Sequence, residues 1–66
     1  MRGKVKMLAD KGYGFITLED GSDDVFFHAA SLEGVQFSDL KVGDEMSFDV
    51  VEGDRGLKAV YVRLEQ

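Results

Sequence analysis

The sequence predicts an all-β domain, a small sandwich or barrel of five short strands. Three observations carry that expectation. Five segments of five to eight residues are rich in β-branched and aromatic side chains. Clusters of glycine and acidic residues separate two successive pairs of them. Several short strands at this spacing suggest a small sandwich or barrel, and closure into a barrel would leave no exposed sheet edge.

The first segment, Lys4–Leu8, mixes lysine with apolar residues, and the second is Tyr13–Leu18. Val25–Ala29 is the third. The turn Glu19-Asp20-Gly21-Ser22-Asp23-Asp24 joins it to the second with hairpin chemistry, because Asp and Gly tolerate positive φ. In the fourth, Met46–Val51, the residues Met46, Phe48 and Val50 alternate with Ser47, Asp49 and Val51. Glu52-Gly53-Asp54-Arg55-Gly56 reads as a second hairpin turn, leading to the fifth segment, Leu57–Leu64, where Val60, Val62 and Leu64 share one parity. Residues 30–44 show no strict period and read as a long connection with a short helical turn near Ala30–Leu32.

With 66 residues the chain is expected to be one domain, residues 1–66, with a single core that buries about 60% of the unfolded surface. Cysteine is absent, which excludes a disulfide framework, a thiolate nucleophile and a cysteine–zinc site. No apolar run approaches the roughly 20 residues of a membrane span, and no secretory signal is evident, so the expected location is cytoplasmic. The formal charge of −5 is unevenly spread. Residues 1–18 carry four cations (Arg2, Lys4, Lys6, Lys11) against one acid, a balance of +3. Residues 19–54 carry eleven acids against Lys41, a balance of −10. Residues 55–66 carry three cations (Arg55, Lys58, Arg63) against Glu65, a balance of +2.

The second and third segments share an oddity: both parities are apolar. If Ile16, Leu18, Val25 and Phe27 enter the core, then Tyr13, Phe15, Phe26 and His28 stand together on the outer face of one hairpin, with Lys11 at its end. Flat rings on a sheet with cations nearby suit unpaired bases, since every base has a π-face and the cations neutralise phosphates. Gly12 and Gly14 fit, because a missing side chain lets a strand or a ligand approach closely. The competing explanation is ordinary packing, with Phe37 or another part of the 30–44 connection folded over the rings.

Two stretches sharpen the choice. Lys11-Gly12-Tyr13-Gly14-Phe15-Ile16 resembles the first nucleic-acid-binding motif of bacterial cold-shock proteins, and Asp24-Val25-Phe26-Phe27-His28 resembles their second. Arg2-Gly3-Lys4-Val5-Lys6, Glu33-Gly34-Val35-Gln36-Phe37 and Glu52-Gly53-Asp54-Arg55-Gly56 resemble further family positions in order, so the likeness spans essentially the whole chain. It implies a five-stranded antiparallel OB-fold barrel that binds single-stranded RNA or DNA in the cytoplasm, as an RNA chaperone or antiterminator. It also implies stacking at Tyr13, Phe15, Phe26, His28 and Phe37, phosphate or base-edge contacts at Lys6, Lys11 and Arg55, and a base hydrogen bond at Asp24. The chain departs from the family pattern at Met7-Leu8-Ala9, where Trp-Phe-Asn is usual, in a shorter following turn, at Ala29 in place of an aromatic, and at Leu57 in place of proline. These departures and the acidic middle predict weaker binding than a typical member.

Other chemistry finds little support. Asp20-Gly21-Ser22-Asp23-Asp24 lacks the spacing and the distal bidentate Glu of a calcium loop and reads as a solvated turn, so no metal and no cofactor is expected. The single histidine has no nucleophile or paired carboxylates arranged around it in sequence, so no enzymatic activity is expected. The alternative function is a protein-interaction module, including self-association as a homodimer, that has lost most nucleic-acid affinity.

Overall fold

A computed structural model of the protein describes every residue except Ser22, Asp54, Arg55 and Gln66. Five strands, β1 (Arg2–Ala9), β2 (Tyr13–Leu18), β3 (Asp24–His28), β4 (Glu45–Gly53) and β5 (Gly56–Leu64), form one closed barrel in the order β1-β2-β3-β5-β4. The pairs β1–β2, β2–β3, β4–β5 and β1–β4 are antiparallel. The closing pair, β3–β5, is parallel and rests on a single bridge, Phe26 opposite Lys58. The architecture is the five-stranded OB-type barrel that the sequence leads one to expect, with no strand end displaced by more than two residues.

Strict alternation in β2 and β3 builds the interior. Ile16 and Leu18 from β2 and Val25 and Phe27 from β3 are buried, and Val5, Leu40, Met46, Phe48, Ala59 and Val62 complete the core. No buried side-chain polar atom lacks a hydrogen-bond partner among the described residues, which removes the usual desolvation penalty for such groups.

Two bulges interrupt the alternation, and neither can be read from local parity. In β1 the register passes from Val5 opposite Ile16 to Met7 opposite Phe15, so Lys6 is the extra residue. Lys6 and Met7 therefore both lie exposed, while Leu8 packs against the core. In β5 the register passes from Arg63 opposite Ser47 to Val60 opposite Asp49, so Tyr61 and Val62 together face Phe48. This bulge corrects the parity expected for the last strand: Ala59 and Val62, three apart, are both buried, whereas Val60 is only half-buried. Tyr61 adopts a left-handed φ of +52°, the one positive-φ residue other than glycine among those described.

The 30–44 connection contains two 3-10 turns, Ala29–Ser31 and Phe37–Asp39. The first lies one residue from its expected place, and the second has no signal in hydrophobic periodicity. Leu32 bridges Val62 of β5, and the Glu33 N–H donates to the Val62 carbonyl at 2.8 Å. Leu32, Val35 and Phe37 pack against the core, and Leu40 joins it.

Candidate nucleic-acid interface

Cross-strand register arranges the outer face of β1, β2 and β3 in three rows. Ala9, Tyr13 and His28 form the first. Met7, Phe15 and Phe26 form the second, which the parallel bridge extends to Lys58 on β5. Lys4, Thr17 and Asp24 form the third. The pleat sends these side chains away from the interior that Ile16, Val25 and Phe27 fill. Tyr13, Phe15 and Phe26 are each half-buried, and His28 is exposed.

The three rings touch one another. Tyr13 and Phe26 have centroids 5.7 Å apart with planes tilted by 32°. Phe15 stands edge-on to both, at 6.4 Å and 87° from Tyr13 and at 5.8 Å and 70° from Phe26. Such edge-to-face contacts complement the ring quadrupoles and hold the cluster in place. A base sandwiched between two rings needs about 7 Å, twice the spacing of stacked bases, so these gaps are closed to insertion. The cluster therefore offers a base its outer ring faces and edges, as a preformed platform.

His28 has a second task. The Ala30 N–H donates to His28 Nδ1 at 3.0 Å, capping the 3-10 turn Ala29–Ser31. Because a backbone N–H can only donate, Nδ1 is an acceptor here, and the neutral ring carries its proton on Nε2. The histidine thus combines a flat ring with an N–H donor at the end of the aromatic face, opposite Tyr13.

The charges on this face are not equivalent. Lys6 Nζ donates to Asp24 Oδ2 at 2.7 Å, and Thr17 Oγ1 donates to Asp24 Oδ1 at 3.1 Å. The hydrogen bonds from Lys6 and Thr17, with the Lys6 charge beside them, hold the Asp24 carboxyl below the usual carboxylate range against a small opposing desolvation. Lys6 is thus occupied by an internal anion. The side chains of Lys11, in the β1–β2 turn, and Lys58, at the β3–β5 seam, make no hydrogen bond or ion pair with any described residue. An open depression of about 480 Å³ borders Lys4 and Thr17, but Glu19 and Glu45 share its lining and no ring reaches it.

Several sequence expectations resolve differently once the barrel is closed. Gly14 is buried; a Cβ there would lie 2.5 Å from the Met7 carbonyl oxygen and 2.8 Å from Phe27 Cε1. Its missing side chain admits a neighbouring strand and the core, not a ligand. Gly12 serves the turn, with φ +94°. Phe37 does not roof the rings: its ring contact is with the core residue Phe27, at 6.3 Å. It is half-buried there, apart from the Tyr13–Phe15–Phe26 cluster. Leu8 also packs against the core, so of the Met7-Leu8 pair only Met7 lies on the outer face. Arg55 lies outside the described residues. Lys58 was not legible as a site residue, because only the pairing of β3 with β5 places it beside Phe26. Among the described residues no group of His, Cys, Asp and Glu could hold a metal ion, and no helix is long and apolar enough to cross a membrane.

Comparison with known proteins agrees with this geometry. The sequence matches the 'Cold-shock' DNA-binding domain family over residues 1–65. It is 50% identical over 62 residues to cold shock protein CspB of Geobacillus stearothermophilus, covering 92% of each chain. It is 50% identical over 58 residues to CspD of Bacillus subtilis, covering 86% of each. A cold shock-like protein of Aquifex aeolicus is 47% identical over 64 residues, covering 96% of this chain and 91% of that one. Among solved structures, Drosophila Unr CSD456 superposes with a TM-score of 0.79 at 21% identity; the match covers 98% of this chain and 26% of that one, a likeness of fold alone. Barrel topology, the two motifs on β2 and β3, and a family match along nearly the whole chain converge: the protein belongs to the cold-shock domain family.

Proposed function

We propose that this protein binds single-stranded RNA or DNA in the cytoplasm and keeps it unpaired, as a non-enzymatic RNA chaperone or antiterminator. The observation that carries the reading is the contacting triad of Tyr13, Phe15 and Phe26 on the outer face of β2 and β3. Aromatic rings held on a sheet exterior have no interior to fill, and unpaired bases are ligands that match them. His28 adds a flat ring and a donor, Lys11 a phosphate contact, and Asp24 with Lys6 a polar pair that a base edge can share. The family resemblance adds Phe37 and Arg55 to the set.

Binding is weaker than in a typical family member. Met7 and Ala29 stand where the family commonly carries aromatic residues, and Met7 offers only a polarisable thioether. Each base–aromatic stack is worth roughly 1–3 kcal/mol, so two missing platforms cost about 2–6 kcal/mol, or one to four decades of affinity. A dissociation constant in the micromolar range or above follows.

An NMR titration with oligothymidine and oligouridine tests the reading. Shifts should cluster at Lys11, Tyr13, Phe15, Phe26 and His28, and Phe15→Ala or Phe26→Ala should nearly abolish them. No response at millimolar oligonucleotide would instead favour a module that docks proteins or a second copy of itself.

A further inference from the structure

We infer that Lys58, delivered to the aromatic face by the pairing of β5 with β3, grips the phosphate backbone of a bound single strand, while Asp24 keeps Lys6 largely out of that role. The inference deepens the proposed nucleic-acid binding and rests on it.

Position comes first. The parallel bridge sets Lys58 opposite Phe26, the ring that both Tyr13 and Phe15 contact. Neighbouring strands lie about 4.8 Å apart, so an extended lysine on β5 readily spans the gap to a ligand stacked on Phe26. Alternation in β5 confirms the direction. Ala59, the next residue, is buried, and Lys58 shares the outer parity with Val60. On β4, Lys58 faces Val51, which is exposed and apolar and offers no competing anion.

Charge availability comes second. Four of the seven cationic side chains among the described residues remain outside any ion pair: Lys4, Lys11, Lys41 and Lys58. Arg2 is paired with Glu65 at 3.4 Å, Arg63 with Glu33 at 3.2 Å and Lys6 with Asp24 at 2.7 Å. Lys41 lies in the connection before β4, and Lys4 lies in the row that ends on Asp24 and pairs on its other side with Glu45. Lys11 and Lys58 are therefore the uncommitted cations at the two borders of the ring cluster. A protein with a formal charge of −5 presents its ligand with a local positive bracket.

The test is the salt dependence of oligothymidine affinity, read by NMR shifts for Lys58→Gln, Lys6→Gln, Lys41→Gln and Phe26→Ala. Each phosphate neutralised contributes about 0.7 to the log–log slope for a single strand. Lys58→Gln should flatten the slope by about that amount and weaken binding about fivefold near 0.1 M salt. Lys41→Gln should leave both unchanged, and Lys6→Gln should change the slope by much less than Lys58→Gln. Lys58→Arg should restore the slope, which separates lost charge from a disturbed strand. An unchanged slope in Lys58→Gln, or the larger change in Lys6→Gln, overturns the inference while Phe26→Ala still loses binding. If Phe26→Ala binds like the parent, the proposed function itself fails.

Discussion

Tyr61 supplies the most demanding test of the fold, because two substitutions there should reverse their ordinary order. Its φ of +52° lies in the left-handed region, which costs an L-residue about 1–2 kcal/mol. The chain cannot escape by straightening the bulge. Pairing the same residues in regular register from Val60 onward would set Tyr61 opposite Phe48, send the buried Val62 outward opposite Ser47 and turn Arg63 inward opposite Met46. Comparing Tyr61→Gly with Tyr61→Ala cancels the loss of the ring, which is 59% exposed, and leaves the backbone term. At an ordinary strand position glycine is about 0.5–1 kcal/mol worse than alanine. Here relief of the left-handed penalty outweighs that, so Tyr61→Gly should be the more stable variant by about 0.5–1 kcal/mol. For a domain of this size the difference amounts to roughly 2–8 °C in Tm. Urea and thermal unfolding followed by circular dichroism would measure it, with Tyr61→Asn expected between the two. If the alanine variant equals or exceeds the glycine variant, the bulge is not held in the left-handed conformation, and the account of how β5 buries both Ala59 and Val62 is wrong.

Gly14→Ala should destabilise the barrel by at least the roughly 1–3 kcal/mol of an overpacked core, seen as a lower urea midpoint, because its Cβ meets the Met7 carbonyl at 2.5 Å. Asp24→Asn should release Lys6, raising oligothymidine affinity several-fold at low salt and steepening the log–log slope by up to about 0.7; a loss of affinity would mean that the carboxylate bonds a base directly. Acid should weaken the fold through the same pair. Asp24 titrates below its ordinary 3.8 when folded, so its contribution is complete above that value and disappears as pH falls through the folded pKa. The urea midpoint of the parent should accordingly drop more steeply than that of Asp24→Asn over this acidic range, and parallel curves would contradict the assignment.

Much of the site was legible because it depends on alternation within single strands. Ile16, Leu18, Val25 and Phe27 had to share an interior, and that alone turned Tyr13, Phe15, Phe26 and His28 outward on one hairpin. The turn clusters marked the strand boundaries to within a few residues for the same local reason. Where Lys6, Met7 and Leu8 point was not legible, because a bulge exists only relative to a partner strand and the parity of β1 changes at Lys6. Gly14 illustrates the same limit: its missing side chain is compatible with a nearby ligand or a nearby strand, and only Phe27 and the Met7 carbonyl decide between them.

By itself, then, the chain specified its class, its strands, its family motifs and the aromatic face, all of which follow from short-range periodicity and residue type. Tertiary structure alone decided which cations stay free, that Phe37 packs on Phe27, and that Lys58 stands beside Phe26. Those facts depend on contacts between residues far apart in sequence. Barrel closure sets them through the register of whole strands, which no local pattern encodes.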